Sequence, residues 1–304
     1  MLTNFANRIR KLIRPFKSLH RLKINNFKVA FLLEGGLEIH LPYMSYLELF
    51  SKSKREFLQQ CFEYSQRPNS EALLRKIVYF LVGSEAIDAS KSVIDIGSWL
   101  ADNATIWAML LEGGKIWAID PSQENLQFGI KIAALNKINN IEWVKAVCSD
   151  KANIPLAIAE GSCAHASFKN ADNAQHGQYL STTLDEIIPD GSHGDISMIH
   201  IDVEGFEQKV ILGASDIIRK SKPVIIFEQH ISNEDPSFIF NFLKGQGYGV
   251  YMINEVLPGN ELDCRNFIAF SSSKPLPPLP LLTQHKGGEE GIWYAVPGGA
   301  LINV

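Results

Sequence analysis

Cysteine is scarce in this chain of 304 residues: Cys61, Cys148, Cys163 and Cys264 stand far apart and form no CxxC pair. That spacing excludes a disulfide scaffold or a cysteine-rich zinc site, and reduced thiols in a cytoplasmic protein are expected. No apolar run approaches the roughly 18 residues needed to cross a bilayer. Arg and Lys interrupt every apolar pair near the N-terminus, so no secretory leader is read there. Acids are absent from residues 1–30, which carry eight Lys and Arg. Removing those eight from the 29 basic residues leaves 21 against 33 acids, so the rest of the chain has a net charge of −12. Such an acidic body excludes nucleic acid as the expected partner. Glycine is also missing where one function would need it. The loop Gly97-Ser98-Trp99-Leu100-Ala101 has one glycine, with Trp99 where a G-x-G-x-x-G pyrophosphate site needs its second. A nicotinamide dinucleotide is disfavoured on that ground.

What is present is an alternation of strands and helices. From about residue 90, Ser92–Ile96, 115–119, 141–147, 198–203 and 224–227 read as near-continuous apolar strands. Between them run helices at 103–111, Gln123–Leu135 and 206–218, with another at 236–245. Apolar strands separated by amphipathic helices predict an α/β fold, a doubly wound and mostly parallel sheet covered on both faces. Two last strands, 249–253 and 266–270, are joined by a loop too short for a helical crossover, so that pair is expected to be antiparallel. Residues 1–70 read as an appendage: a basic amphipathic helix, a hairpin around Gly35-Gly36, and the approach to a helix at 70–81 capped by Asn69 or Ser70. The main domain then spans 71–272, and a proline-rich linker and tail fill 273–304. The stretch 148–195, rich in Gly, Ser, His and Asn, is expected to be an insertion or lid. Residues 1–28 combine apolar and cationic positions at helical spacing; they suit either a solvated or self-packed helix or peripheral contact with an anionic membrane.

Carboxylates mark the strand ends. Asp95 lies two residues before Gly97, Asp120 ends "IWAIDPS", and Asp150 follows "AVCSD". In a doubly wound sheet ligands sit beyond the carboxyl ends of the strands. Acids there would repel a pyrophosphate but welcome an ammonium and a sulfonium, as in S-adenosylmethionine, with Asp120 accepting from ribose hydroxyls. In "MIHIDVEGFE" alternation puts His200, Asp202 and Glu204 on one side of a strand, and in "IIFEQH" Glu228 and His230 share a face. These residues suit a general base or a divalent cation, and a capping role for Asp202 and Glu204 is the plainer alternative.

These motifs, with "TTLDEI" and "IHIDVEGFEQKVILGA", resemble the FkbM-type methyltransferase family, a branch of the class I S-adenosylmethionine-dependent enzymes. The resemblance covers roughly residues 90–230 and implies a Rossmann-like sheet. It implies that Asp95, Gly97, Ser98, Asp120 and Pro121 hold S-adenosylmethionine, with Asp150 near the adenine. It places Asp202 and Glu204 beside the acceptor and implies O-methylation of a sugar, glycolipid, polysaccharide or secondary-metabolite hydroxyl; His230, read from the strand exit, is a further candidate base, and no metal site is assigned. The chain departs from the family pattern at Trp99, Ala101, Asp120 and His200, where a small residue, glycine, glutamate and lysine are commoner. A binding module that has lost turnover is the alternative those departures leave open.

Overall fold

The structure, a computed structural model, describes residue 60 and residues 71–158, 178–230, 237–253, 255 and 264–277. Within those ranges residues 72, 158, 178, 230 and 264 are described as backbone only, as are residues 23–25, 28–32, 38–42, 168–170, 292–295 and 301–303. The chain divides into two compact units, Met1–Ser65 and Gln66–Val304. In the first, β1 (Lys23–Asn25), β2 (Lys28–Leu32) and β3 (Glu38–Pro42) form an antiparallel sheet. The expected hairpin is β2–β3, with Leu32 opposite Glu38. The expected basic helix lies outside the described residues.

The second unit begins with α1 (Ala72–Gly83), which buries Leu73, Leu74, Ile77, Val78 and Leu81 as their helical spacing requires. Its cap is not the expected Asn69 or Ser70. Glu71 stands at that position without a capping bond, and the carboxylate of Glu255 accepts from the backbone of Leu73 (2.8 Å) and Leu74 (3.0 Å) instead. Two otherwise orphaned helix donors are thus satisfied from about 180 residues away.

β4 (Ser92–Ile96), β5 (Ile116–Asp120), β6 (Ile141–Lys145), β11 (Ile196–Ile201) and β12 (Val224–His230) are the parallel strands. The helices α2 (Asp102–Ala108) and α3 (Gln123–Leu135) connect the first three. β13 (Tyr248–Ile253) and β14 (Cys264–Ser271) follow α7 (Ser237–Gly245) and pair antiparallel, as expected. The tail adds β15 (Ile292–Ala295) and β16 (Leu301–Asn303), so the order is β16-β15-β13-β14-β12-β11-β4-β5-β6. The chain leaves β4 toward β5 and β6, then returns to β11 on β4's other side. That reversal is the switch point of the sheet. Among the described residues no helix is long and apolar enough to cross a membrane.

The 148–195 stretch is more ordered than a plain loop. β7 (Val147–Cys148), β8 (Pro155–Ile158), β9 (Phe168–Asn170) and β10 (Gln178–Thr182) form a second sheet, and α4 (Leu184–Ile187) follows. Residues 159–167 and 171–177 lie outside the described residues. The expected single helix at 206–218 is two, α5 (Glu207–Leu212) and α6 (Ser215–Ser221). A Cβ on Gly213, between them, would lie 2.0 Å from the Ser149 carbonyl, so the backbones pack too closely for any side chain. Asp185 of "TTLDEI" then caps α6, accepting from Asp216 (2.9 Å) and Ile217 (3.0 Å).

His193 joins the same region. Its Nδ1 lies 2.9 Å from Asp216 Oδ2, and its Nε2 reaches the carbonyls of Asp185 (3.0 Å) and Ile188 (2.8 Å). Acceptors at both nitrogens favour the doubly protonated ring. Burial pulls the imidazole down, but Asp216 and the Ile188 carbonyl outweigh it and hold the pKa above the usual value. A raised folded-state pKa gives stability that is complete below about pH 6.5 and is lost as pH climbs through the folded value. Replacing His193 with Gln is therefore expected to destabilise the fold by about 1.5 kcal/mol at pH 6 and by much less at pH 9. Urea titrations of both proteins at the two pH values measure this; an equal loss at both contradicts it.

Candidate active site

At the switch point two strand exits lock together. Gly97 has φ +74°, and a Cβ there would sit 1.7 Å from the carbonyl oxygen of Asp202. Asp202 N–H donates to the Ile96 carbonyl at 3.0 Å, and the amides of Gly97 and Ser98 donate to that of Ile119 at 2.9 and 3.1 Å. The glycine therefore makes room for another backbone segment of the same chain. Beyond it, Trp99 (φ 45°) and Ala101 (φ 55°) also hold left-handed conformations. The loop keeps a glycine-like course with side-chain-bearing residues, at roughly 1 kcal/mol or more each.

Asp120 holds that loop in place. Its Oδ2 accepts from Trp99 N–H (3.0 Å), and its Oδ1 from Ser122 N–H (2.7 Å) and the Asn125 amide (3.2 Å). Burial pushes this carboxyl up to about 7. Among these contacts Oδ2 takes one donor, and a carboxylate oxygen can take two. Pro121 is half-buried, and Ser98 is buried with its hydroxyl unpartnered. Asp150 is half-buried and accepts from the Ser149 hydroxyl at 3.1 Å.

Asp95 lies deeper than its place before the loop suggests, being 1% exposed. It faces His200 directly across the β4–β11 ladder, and His200 Nδ1 donates to its Oδ1 at 2.7 Å. The edge of Trp107 meets the imidazole with ring centroids 5.0 Å apart. Burial raises the Asp95 carboxyl above its usual range. Burial also pulls His200 down, but Asp95 outweighs this and leaves the imidazole above its usual value. Beside the pair, buried Arg75 bonds Asp102 (2.9 Å) and Glu71 (3.4 Å), and Asn103 donates to Glu71 (3.2 Å). The spacing of Glu71 and Arg75 hinted at an ion pair on one helix face, but nothing local in sequence linked them to Asp102.

The expectation that His200, Asp202 and Glu204 share one strand face needs correction. β11 ends at Ile201, and Glu204 is in a turn with φ 52°, so alternation no longer applies. His200 turns inward to Asp95. Asp202 and Glu204 instead meet Glu228 of β12: the three half-buried carboxylates bring oxygens within 4.8 Å of one another. Acids this close suit a shared proton, a hydroxyl donor or a hard cation, and the cluster alone assigns none of these. Glu207, which sequence reasoning missed, shapes the turn by accepting from Val203 (3.1 Å) and Gly205 (3.2 Å), and burial pushes it up to about 7. The backbone of His230 ends β12 opposite Cys264; its side chain lies outside the described residues. Replacing Gly97 with Ala is expected to cost roughly 3 kcal/mol or more, because backbone must yield on both strands. A loss below 1 kcal/mol in denaturant titration would contradict the interlock.

No curated protein matches the chain. Among solved structures it is similar to a methyltransferase FkbM from Methylobacillus flagellatus KT, at 16% identity over 59% of this chain and 44% of that one, with TM-score 0.45. The chain thus spans less than half the length of that protein. It is also similar to the N-terminal domain of human METTL16 (16% identity, 66% and 69% covered, TM-score 0.41) and to a SAM-dependent methyltransferase from Aquifex aeolicus (13%, 67% and 92%, 0.37). These likenesses are distant and carry no functional argument. The Methyltransferase FkbM domain matches residues 93–250, just over half of the chain, and takes in both locked strand exits. The matched residues hold the parallel strands β4, β5, β6, β11 and β12; the chain belongs to the FkbM methyltransferase family.

Proposed function

We propose that the chain is an S-adenosylmethionine-dependent O-methyltransferase acting on a hydroxyl of a sugar, glycolipid, polysaccharide or secondary metabolite. The observation that carries the reading is the family match across the switch point, where strand exits present acids to one edge. The residues there fit the cofactor: Oδ2 of Asp120 has acceptor capacity left, and Asp95 Oδ2 and Ser98 Oγ are buried polar atoms without partners. S-adenosylmethionine, when bound, supplies an electrophilic methyl on a sulfonium. Asp120 would accept from a ribose hydroxyl, Asp95 would complement the ammonium, Gly97, Ser98 and Pro121 would line the approach, and Asp150 would border the adenine.

On the acceptor side, Asp202 or His230 takes the hydroxyl proton and Glu204 orients the acceptor, with Glu228 beside Asp202 and Glu204. Alignment of the hydroxyl with the methyl is the larger effect, and a positioned base adds about 10² to 10⁴ in rate. The 148–195 stretch, whose described part includes strands β7, β8 and β10, would serve as the lid. The basic residues 1–28 would bring a cytoplasmic enzyme to an anionic membrane surface, where lipid-linked glycans are built.

Labelled methyl transfer to a panel of cell-surface glycans tests the reaction, and a mass shift of one methyl group between extracts of cells with and without the protein identifies the acceptor. Replacing Asp120 with Ala is expected to weaken S-adenosylmethionine binding about 10- to 100-fold; unchanged affinity in calorimetry removes the ribose assignment.

A further inference from the structure

We infer that His200 is the positioning residue of the donor site: it holds one oxygen of Asp95 so that the other is left for the donor's ammonium. This rests on the proposed donor site and adds to it a residue whose side chain bonds Asp95 rather than joining the acceptor acids.

The geometry is specific. Asp95 and His200 are Cα partners in the parallel ladder, and their side chains meet at 2.7 Å with the two residues 1% and 2% exposed. One ring nitrogen engages one carboxylate oxygen, and the T-shaped contact with buried Trp107 fixes the ring plane. Asp95 Oδ2 is then buried without a hydrogen-bond partner. A carboxylate oxygen left so is costly, by more than a neutral group would be. Supply of a cationic donor to Oδ2 removes that cost. The neighbouring charges do not: Arg75 is engaged with Asp102 and Glu71, and Asp202, Glu71 and Asp102 are acids that reinforce the negative field at the pair. Above it runs the Gly97–Ala101 loop, with the buried Ser98 hydroxyl also unpartnered and two non-glycine residues in the left-handed region. Nδ1 of His200 keeps the carboxylate from rotating, so Oδ2 is the oxygen left for the donor's amino-acid end.

The contact predicts which part of the ligand feels His200. S-adenosylmethionine and S-adenosylhomocysteine carry the ammonium; 5′-methylthioadenosine keeps the ribose and adenine but lacks the amino-acid group. The full chain and its His200→Leu and His200→Asn variants are titrated with all three by calorimetry, after circular dichroism has checked folding. Leu removes the donor, whereas the Asn amide nitrogen can take the place of Nδ1. His200→Leu is expected to weaken the two ammonium ligands about 10- to 100-fold, the range for a lost hydrogen bond to a charge, and to leave 5′-methylthioadenosine within about threefold. His200→Asn restores most of the loss, and Asp95→Asn reproduces the Leu pattern with no further loss in the double variant. If the Leu variant does not fold, His200→Gln replaces it, since its amide reaches past Asp95 Oδ1. An equal loss for all three ligands, or none for any, overturns the inference while wild-type binding leaves the donor site standing. A wild type that binds none of the three overturns the donor site and the inference with it.

Discussion

Where β4 and β11 leave the sheet, their backbones come so close that no side chain fits between them: the Asp202 carbonyl occupies the space a Cβ on Gly97 would need. The amide of Asp202 bonds back to Ile96, and the loop's first two amides bond to Ile119 of β5. Three strand exits are thereby tied by backbone contacts alone. Everything proposed for the site depends on this knot, because it sets Asp95, Asp120 and Asp202 around one edge. A side chain at residue 97 would push them apart.

The acids at that edge do different work. Asp120 accepts one bond from the loop and two from the turn and helix that follow it, and burial pushes its pKa up to about 7. Glu207 does the same for the turn after β11. Asp202, Glu204 and Glu228 remain half-exposed and crowded, where the proposed acceptor would sit. Asp95 is buried and half-satisfied by His200. Buried carboxylates hold the frame, and the more exposed ones are those proposed to meet the acceptor.

Much of the fold was legible in the sequence because strands buried on both faces read as continuous apolar runs. Gln123–Leu135 and the β13–β14 pair are as expected, and Asp95, Asp120 and Asp202 lie at the strand ends where they were sought. The misses share one cause: the deciding partner is remote in sequence. Gly213, at the junction of two helices, packs against the Ser149 carbonyl, and α1 is capped by Glu255 rather than by its own neighbours. The strands β7 to β10 were hidden by a polar composition that reads as loop. His200 was read by alternation with Asp202, yet β11 had already ended, and its true partner stood across the ladder.

Calorimetric titration of the intact protein with S-adenosylmethionine, set against NADH under the same conditions, tests most directly whether this edge is a methyl-donor site. The account predicts saturable one-to-one binding of S-adenosylmethionine and no heat from NADH, since Trp99 replaces the second glycine of a G-x-G-x-x-G loop. Tight binding of NADH with no response to S-adenosylmethionine would contradict it.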